Sequence, residues 1–201
     1  MKKYILLLAL FLSSTSFAVE PKFNDNFKQT KNEIETSSPG KIEVLELFWY
    51  GCIHCYSMDP YLDKWADSLP DDVVFKRVPA IPRKSWVPGA KAYYALETLG
   101  LEGKLHEKLF DAIHKEKDVE PNNEDALINW VTLNGKLDEK EVKAAFNSFS
   151  IDTKLKKSYK IFKEAGATGV PTIIIDGNYM TSSTMAGGEK NAIDITNYII
   201  E

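Results

Sequence analysis

Two cysteines occur in the 201 residues, and they stand two residues apart in Cys52-Ile53-His54-Cys55. Thiols at that spacing, on the first turn of a helix, close into a small disulfide and reopen by exchange. The flanking chain supplies the geometry. An apolar run from Ile42 to Trp49 ends just before Cys52, and apolar residues at spacings of three and four begin at Cys55. The first sulfur therefore sits at a helix start, where unpaired backbone N–H groups and the positive end of the helix dipole favour a thiolate. The pattern predicts a redox centre.

Other chemistries fit these residues less well. A zinc site needs about four ligands, and the chain offers one Cys pair with His54, His106 and His114. His54 lies inside the pair, and the other two are eight residues apart rather than at finger spacing; no metal is expected. A purely structural disulfide closing so short a loop would constrain the unfolded chain little, and secreted staples usually join distant segments.

The first residues bear on the compartment. Lys2 and Lys3 precede nine largely apolar residues, Tyr4 to Leu12, and then Ser13 to Ala18. A basic start, a short apolar run and small residues at Ser16 and Ala18 make a secretory signal over 1–18, with cleavage expected after Ala18. The run is well short of the ~20 residues needed to span a bilayer. Its removal takes two lysines and no acids, leaving 23 Lys+Arg against 29 Asp+Glu and a formal charge of −6. This mild acidity offers no basic surface for nucleic acid. In an oxidising compartment such as the periplasm, a lone CxxC reads as a donor or shuffler of disulfides.

The remaining elements must position the Cys pair. Residues 20–40 are polar and end in Ser37-Ser38-Pro39-Gly40, a loop signal. Ile42 to Trp49 reads as a central strand covered on both faces. Cys55, Met58, Leu62, Trp65 and Leu69 form one buried helical stripe, which Pro60 interrupts. Val73 to Val78 is a second strand, so strand, helix and strand imply a right-handed parallel crossover. Helical patterns then run for about 75 residues. Leu105, Leu109, Ala112 and Ile113 make one face, and Leu127, Trp130 and Leu133 another. Asp138 with Glu141 resembles a capping box opening a helix with Val142, Ala145, Phe146 and Phe149. Leu155, Tyr159 and Phe162 line a helix closed by Gly166. Thr172–Ile175 and Asn178–Thr181, joined by Asp176-Gly177, read as a hairpin. A last helix uses Ile193, Tyr198 and Ile199.

The order around the CxxC is that of a thioredoxin fold. This α/β fold carries an all-helical insertion between the second strand of the βαβ unit and the C-terminal β-hairpin. The expected division is 19–82 and 166–201 for the thioredoxin-like domain and 83–165 for the helical insertion. Phe48-Trp49-Tyr50-Gly51-Cys52-Ile53-His54-Cys55-Tyr56 and Gly169-Val170-Pro171-Thr172 closely resemble the DsbA family of periplasmic disulfide oxidases. The resemblance implies a thiol:disulfide oxidoreductase that oxidises newly exported cysteine-containing proteins and is reoxidised by a quinone-linked membrane oxidase of the DsbB type. It implies no cofactor beyond the Cys52–Cys55 disulfide, and a monomer.

Within that resemblance Cys52 is the attacking sulfur and Cys55 the resolving one. His54 lies where its ring sits beside the Cys52 sulfur. Glu46 is either a buried carboxylate that carries the Cys55 proton or an outward-facing strand residue. Pro171 corresponds to the family's cis-proline, and Val170 offers its backbone to an extended substrate peptide. One departure stands out: the family's usual Pro-His between the cysteines is Ile53-His54 here. A disulfide isomerase or reductase is the nearest rival. The isomerases carry a dimerisation module ahead of this domain, and only 23 residues separate Ala18 from the first strand. A peptide-holding chaperone is the rival of another class, and a double Cys-to-Ser substitution separates it from an oxidase.

Overall fold

The computed structural model describes residues 21–201, so the expected signal segment lies outside the described residues. A five-stranded sheet forms the frame, in the order β1 (Phe27–Gln29), β5 (Tyr179–Thr181), β4 (Thr172–Ile175), β2 (Ile42–Phe48) and β3 (Val73–Pro79). Within it β2 lies between β4 and β3, and is followed in the chain by α1 (Ile53–Ala66) and β3. β2 and β3 run parallel, with Ile42 opposite Val73 and Phe48 opposite Pro79. β4 (Thr172–Ile175) pairs antiparallel with β2, and β5 (Tyr179–Thr181) with β4. Asp176 and Gly177 both adopt positive φ at the turn, as a tight two-residue hairpin requires.

β2 is apolar apart from Glu43 and Glu46, because both its faces are covered. Val44 packs with Met58 and Leu62 of α1 and with Ile195 of the last helix, α8 (Glu189–Ile200). Leu45 and Leu47 face the other way, against Ile161, Ala165 and Ile174. Successive residues alternate faces, so Glu46 lies on the α1 side with Val44 and Phe48.

The stretch between β3 and β4 is helical: α2 (Val87–Thr98), α3 (Glu102–Asp111), α4 (Glu124–Gly135), α5 (Glu139–Phe146) and α6 (Phe149–Ala165). A π-helical segment, Ala112–Glu116, extends α3. Asn123 and Ser148 cap α4 and α6 by accepting from the N–H groups of Ala126 and Ile151. Gly166, at φ 67°, closes α6. A four-residue helix α7, Ser183–Ala186, precedes α8. Phe48 and Tyr50 leave the sheet and enter the core of this helical block beside Phe110, Leu127 and Phe146. The block is therefore welded to the turn that carries Cys52.

Several expected details differ. β1 (Phe27–Gln29), which pairs with β5, falls in the stretch read as loop. Three residues on a sheet edge are too few to show a period. Leu133 is 68 % exposed, because two steps of three residues drift about 120° round a helix from Leu127. The buried positions are Leu127, Ile128 and Val131 instead. Phe149 opens α6 rather than closing α5, since Ser148 caps a new helix there. Tyr159 and Tyr198 are exposed. Asp138 accepts from Lys140 N–H, and Glu141 returns no bond, so only half of the expected box forms. α1 continues through Pro60 and ends at Ala66, short of Leu69.

Candidate active site

Cys52 is the N-cap of α1, with extended backbone at φ −95° and ψ 114°. It is half-buried, and Cys55 is fully buried one turn on. Both thiols are free, and the Cys52 S–H donates to the carbonyl oxygen of Val170 at 3.4 Å. The Cys52 pKa falls from 9 to about 6, and contact with the Cys55 thiol is the largest cause. Partial burial opposes the shift, while the backbone N–H groups of His54 and Cys55 and the charge of the exposed His54 ring assist it. None of these donors closes an ordinary hydrogen bond on the thiol form. They act on the anion, which accepts where a thiol donates. At neutral pH a pKa near 6 leaves about nine-tenths of the sulfur ionised, against a few per cent for an ordinary cysteine. Cys55 moves the other way. Burial first, then the Cys52 sulfur and the Glu46 carboxylate, push its thiol well above 9. The two sulfurs are thus pushed in opposite directions, Cys52 toward the thiolate and Cys55 toward the thiol.

Val170 and Pro171 come from the loop before β4, and the peptide bond between them is cis. Val170 is half-buried with its carbonyl at the Cys52 sulfur, so the two segments singled out in the sequence meet in space. Beside them the Trp49 ring stacks on Trp86 at a centroid distance of 4.1 Å and an angle of 6°. Trp49 also lies where a side chain on residue 51 would project: a Cβ there would meet the indole at 2.5 Å, so Gly51 is required.

Behind the cysteines lies a cluster of buried charge. Glu46 is 1 % exposed, which settles its orientation toward the interior. Burial raises its pKa from 4.5 to about 8, against the attraction of Arg77. Its Oε2 stands 3.4 Å from Arg77 Nε, and neither atom has a hydrogen-bond partner among the described residues. Glu43, three residues earlier and also buried, behaves oppositely. Burial pushes its pKa up, but bonds from Lys76, Ser37 and Ser38 outweigh it and the net shift is downward. Arg77 is held more firmly by Asp59, at 2.9 Å, and by Asp63. Asp59 in turn meets His106 Nε2 at 3.1 Å, and His106 Nδ1 meets the Tyr50 hydroxyl at 2.8 Å. His114 Nε2 lies 2.7 Å from the Tyr50 carbonyl oxygen.

The structure therefore brings together Cys52, Cys55, His54, Glu46, Val170 and Pro171. Sequence reasoning missed Asp59, Arg77, His106 and Tyr50. Asp59 carried a signal: it falls on the Cys55–Met58–Leu62 stripe, where a carboxylate is out of place unless paired. His106 adjoins Leu105 on an apolar face in the same way. The polar contacts of the two histidines of the helical block are with Tyr50 and Asp59, and the His114 ring stacks on Tyr56.

Comparison with known proteins agrees with this geometry. Residues 62–193 match the family model of the DSBA-like thioredoxin domain. The thiol:disulfide interchange protein DsbA of Azotobacter vinelandii is 34 % identical over 180 residues, covering 90 % of this chain and 83 % of that protein. DsbA of Pseudomonas aeruginosa PAO1 is 32 % identical over 202 residues, covering 98 % and 95 %. The crystal structure of P. aeruginosa DsbA superposes with a TM-score of 0.83 over 90 % of this chain and 93 % of that one, at 32 % identity. The oxidoreductase DsbA of Xylella fastidiosa gives 0.83 over 90 % and 96 %, at 28 % identity. With its cysteine pair at the head of α1 and these relatives along nearly its whole length, the chain belongs to the DSBA-like thioredoxin domain family.

Proposed function

We propose that this protein introduces disulfide bonds into newly exported, cysteine-containing proteins, using the Cys52–Cys55 disulfide as its only redox group. A substrate thiolate attacks Cys52 Sγ, the Cys52–Cys55 bond breaks, and Cys55 leaves with the electron pair. Glu46, protonated at neutral pH by its burial, supplies the proton that Cys55 then carries. A second substrate thiolate attacks the substrate sulfur of the mixed disulfide and expels the Cys52 thiolate. The substrate ends two electrons oxidised and the enzyme two electrons reduced.

The observation that carries this reading is the split between the two sulfurs, one held near pKa 6 and the other well above 9. Stabilising the Cys52 thiolate stabilises the reduced enzyme, and so makes the disulfide form oxidising. Val170 offers its main chain to an extended substrate. The 19–82 and 166–201 segments supply the exchange centre, and 83–165 covers it. The protein works as a monomer in the periplasm after cleavage behind Ala18. A quinone-linked membrane thiol oxidase of the DsbB type returns it to the disulfide form. No helix among the described residues is long and apolar enough to cross a membrane.

The deciding experiment is oxidation of a reduced two-cysteine peptide by the purified, oxidised protein. Stoichiometric disulfide formation, lost in the Cys52→Ser/Cys55→Ser double variant, is expected. A wild-type protein that leaves the peptide reduced overturns the reading.

A further inference from the structure

One buried titratable side chain has no place in the exchange chemistry above. His106 is 4 % exposed, sits among Phe48, Tyr93 and Phe110, and joins two polar groups that lie 47 and 56 residues before it in the chain. Its Nε2 is 3.1 Å from Asp59 Oδ1 and its Nδ1 2.8 Å from the Tyr50 hydroxyl. The bonding selects the tautomer. Asp59 accepts from Arg77 at 2.9 Å, and beside this permanent cation it is an ionised acceptor. Nε2 must then carry a proton. Were Nδ1 protonated too, the Tyr50 O–H would be left without an acceptor in an apolar core, at a cost of about 1–3 kcal/mol. The neutral ring satisfies both neighbours: Tyr50 O–H donates to Nδ1, and Nε2–H donates to Asp59.

Asp59 and Glu46 compete for one cation. Arg77 donates to Asp59 at 2.9 Å with its NH2 group, while its Nε stands at 3.4 Å from Glu46 without a hydrogen bond. Burial raises the Glu46 pKa most; of the charges, Arg77 lowers it and Asp59, a smaller effect, raises it. The Nε2–H bond from His106 fixes the Asp59 carboxylate at its 2.9 Å contact with Arg77, and so keeps the guanidinium placed with its Nε toward Glu46. The other ionisable groups facing this cluster are Asp63 on α1, Glu102 on α3, Tyr93 on α2 and the two cysteines. Asp63 and Glu102 also draw on Arg77, from its more exposed side.

We infer that His106 is a positioning residue for the exchange reaction: its Nε2–H holds Asp59 so that Arg77 is shared with Glu46, which lets Glu46 take the proton of Cys55. The inference rests on the proton-carrying role of Glu46 proposed above. It concerns the step in which a mixed disulfide on Cys52 is resolved. There the Cys55 thiol passes its proton to the Glu46 carboxylate, and Cys55 Sγ attacks Cys52 Sγ. The bond from Cys52 to the bound partner breaks, and the partner leaves as a thiolate with the electron pair. Less Arg77 beside Glu46 means less carboxylate at neutral pH and slower resolution.

The test uses reduced full-length protein mixed with oxidised glutathione, with the resolution of the glutathione-Cys52 intermediate followed by rapid quench across pH. Two variants divide the two bonds. The His106→Gln amide nitrogen occupies the Nε2 position and keeps the donor to Asp59. The His106→Asn side chain reaches only the Nδ1 position and keeps the Tyr50 contact. His106→Asn is expected to move the pH midpoint of resolution up by half a unit to one unit, about a three- to tenfold loss of rate at neutral pH. His106→Gln keeps the wild-type profile, and the Cys52 titration is the same in both. Wild-type profiles in both variants, or equal shifts in both, overturn the inference. Glu46→Gln separates the two layers. If it leaves the resolution profile unchanged, the Glu46 role itself fails. If it flattens the profile while His106→Asn does nothing, only the His106 role fails. Should neither histidine variant fold, nitrogen NMR of the wild-type ring decides: a proton on Nε2 supports the inference, and an unprotonated Nε2 overturns it.

Discussion

Cys52 Sγ donates to the carbonyl oxygen of Val170, 3.4 Å away and 118 residues further along the chain. That bond exists only while the sulfur carries a proton. Ionisation replaces it with the attraction of the Cys55 thiol and the first-turn N–H groups, so the Val170 carbonyl loses this donor as the thiolate forms. The loss of one weak bond is the smaller effect, because the Cys52 pKa falls to about 6 in spite of it.

The cause of that fall can be apportioned. The Cys55 thiol is the largest contributor and the His54 charge the smallest of those named. Cys55→Ala is therefore expected to raise the Cys52 midpoint more than His54→Ser, whose effect should stay below about one unit. Thiolate ultraviolet absorbance of the reduced variants reads both. A larger shift from His54→Ser would reverse the order of causes.

Linkage gives the reduced protein a pH-dependent stability. The unfolded Cys52 thiol holds its proton up to about pH 9, and the folded one releases it near 6, so the unfolded state binds more protons between them. Stability therefore rises with pH across that interval and the gain is lost as pH falls toward 6. The oxidised protein has no thiol to titrate. The difference in unfolding free energy between reduced and oxidised protein should grow from pH 6 to 9, as read by urea denaturation of both forms.

Glu46 acts with the opposite sign. Its folded pKa is raised from 4.5 to about 8, so the folded state binds the extra proton and stability falls as pH climbs through that range. Glu46→Gln removes this penalty, and Arg77 retains Asp59 and Asp63 as partners. The variant should match the wild type near pH 4.5 and exceed it at pH 8, by an amount on the order of a few kcal/mol. Thermal unfolding across pH measures it, while the same variant should slow the Cys55 proton steps.

Ile53 stands at the first position of α1, where the family's usual residue is proline. The N–H groups that stabilise the thiolate belong to His54 and Cys55, and Ile53 is 53 % exposed. Proline is well tolerated at a first helical position. Ile53→Pro should therefore fold and leave the Cys52 titration within about half a unit. A larger shift would mean that rigidity of the turn, rather than these donors, sets the thiolate.

The sequence by itself determined the chemistry and the topology. A CxxC at a strand-to-helix switch, a βαβ crossover, a helical stretch and an Asp-Gly hairpin are all local patterns, legible because period and turn chemistry act over a few residues. It also carried both halves of the site, 52–55 and 169–172, because each half is contiguous. Tertiary structure alone decided which charges lie behind the sulfurs. Glu43 and Glu46 sit on one strand with similar neighbours in sequence, yet one is lowered and the other raised. The difference comes from partners on other segments: Lys76 and two serines for Glu43, and an Arg77 shared with Asp59 for Glu46. Burial and ion pairing are set by what packs against a residue, and those neighbours come from positions that a linear pattern does not connect.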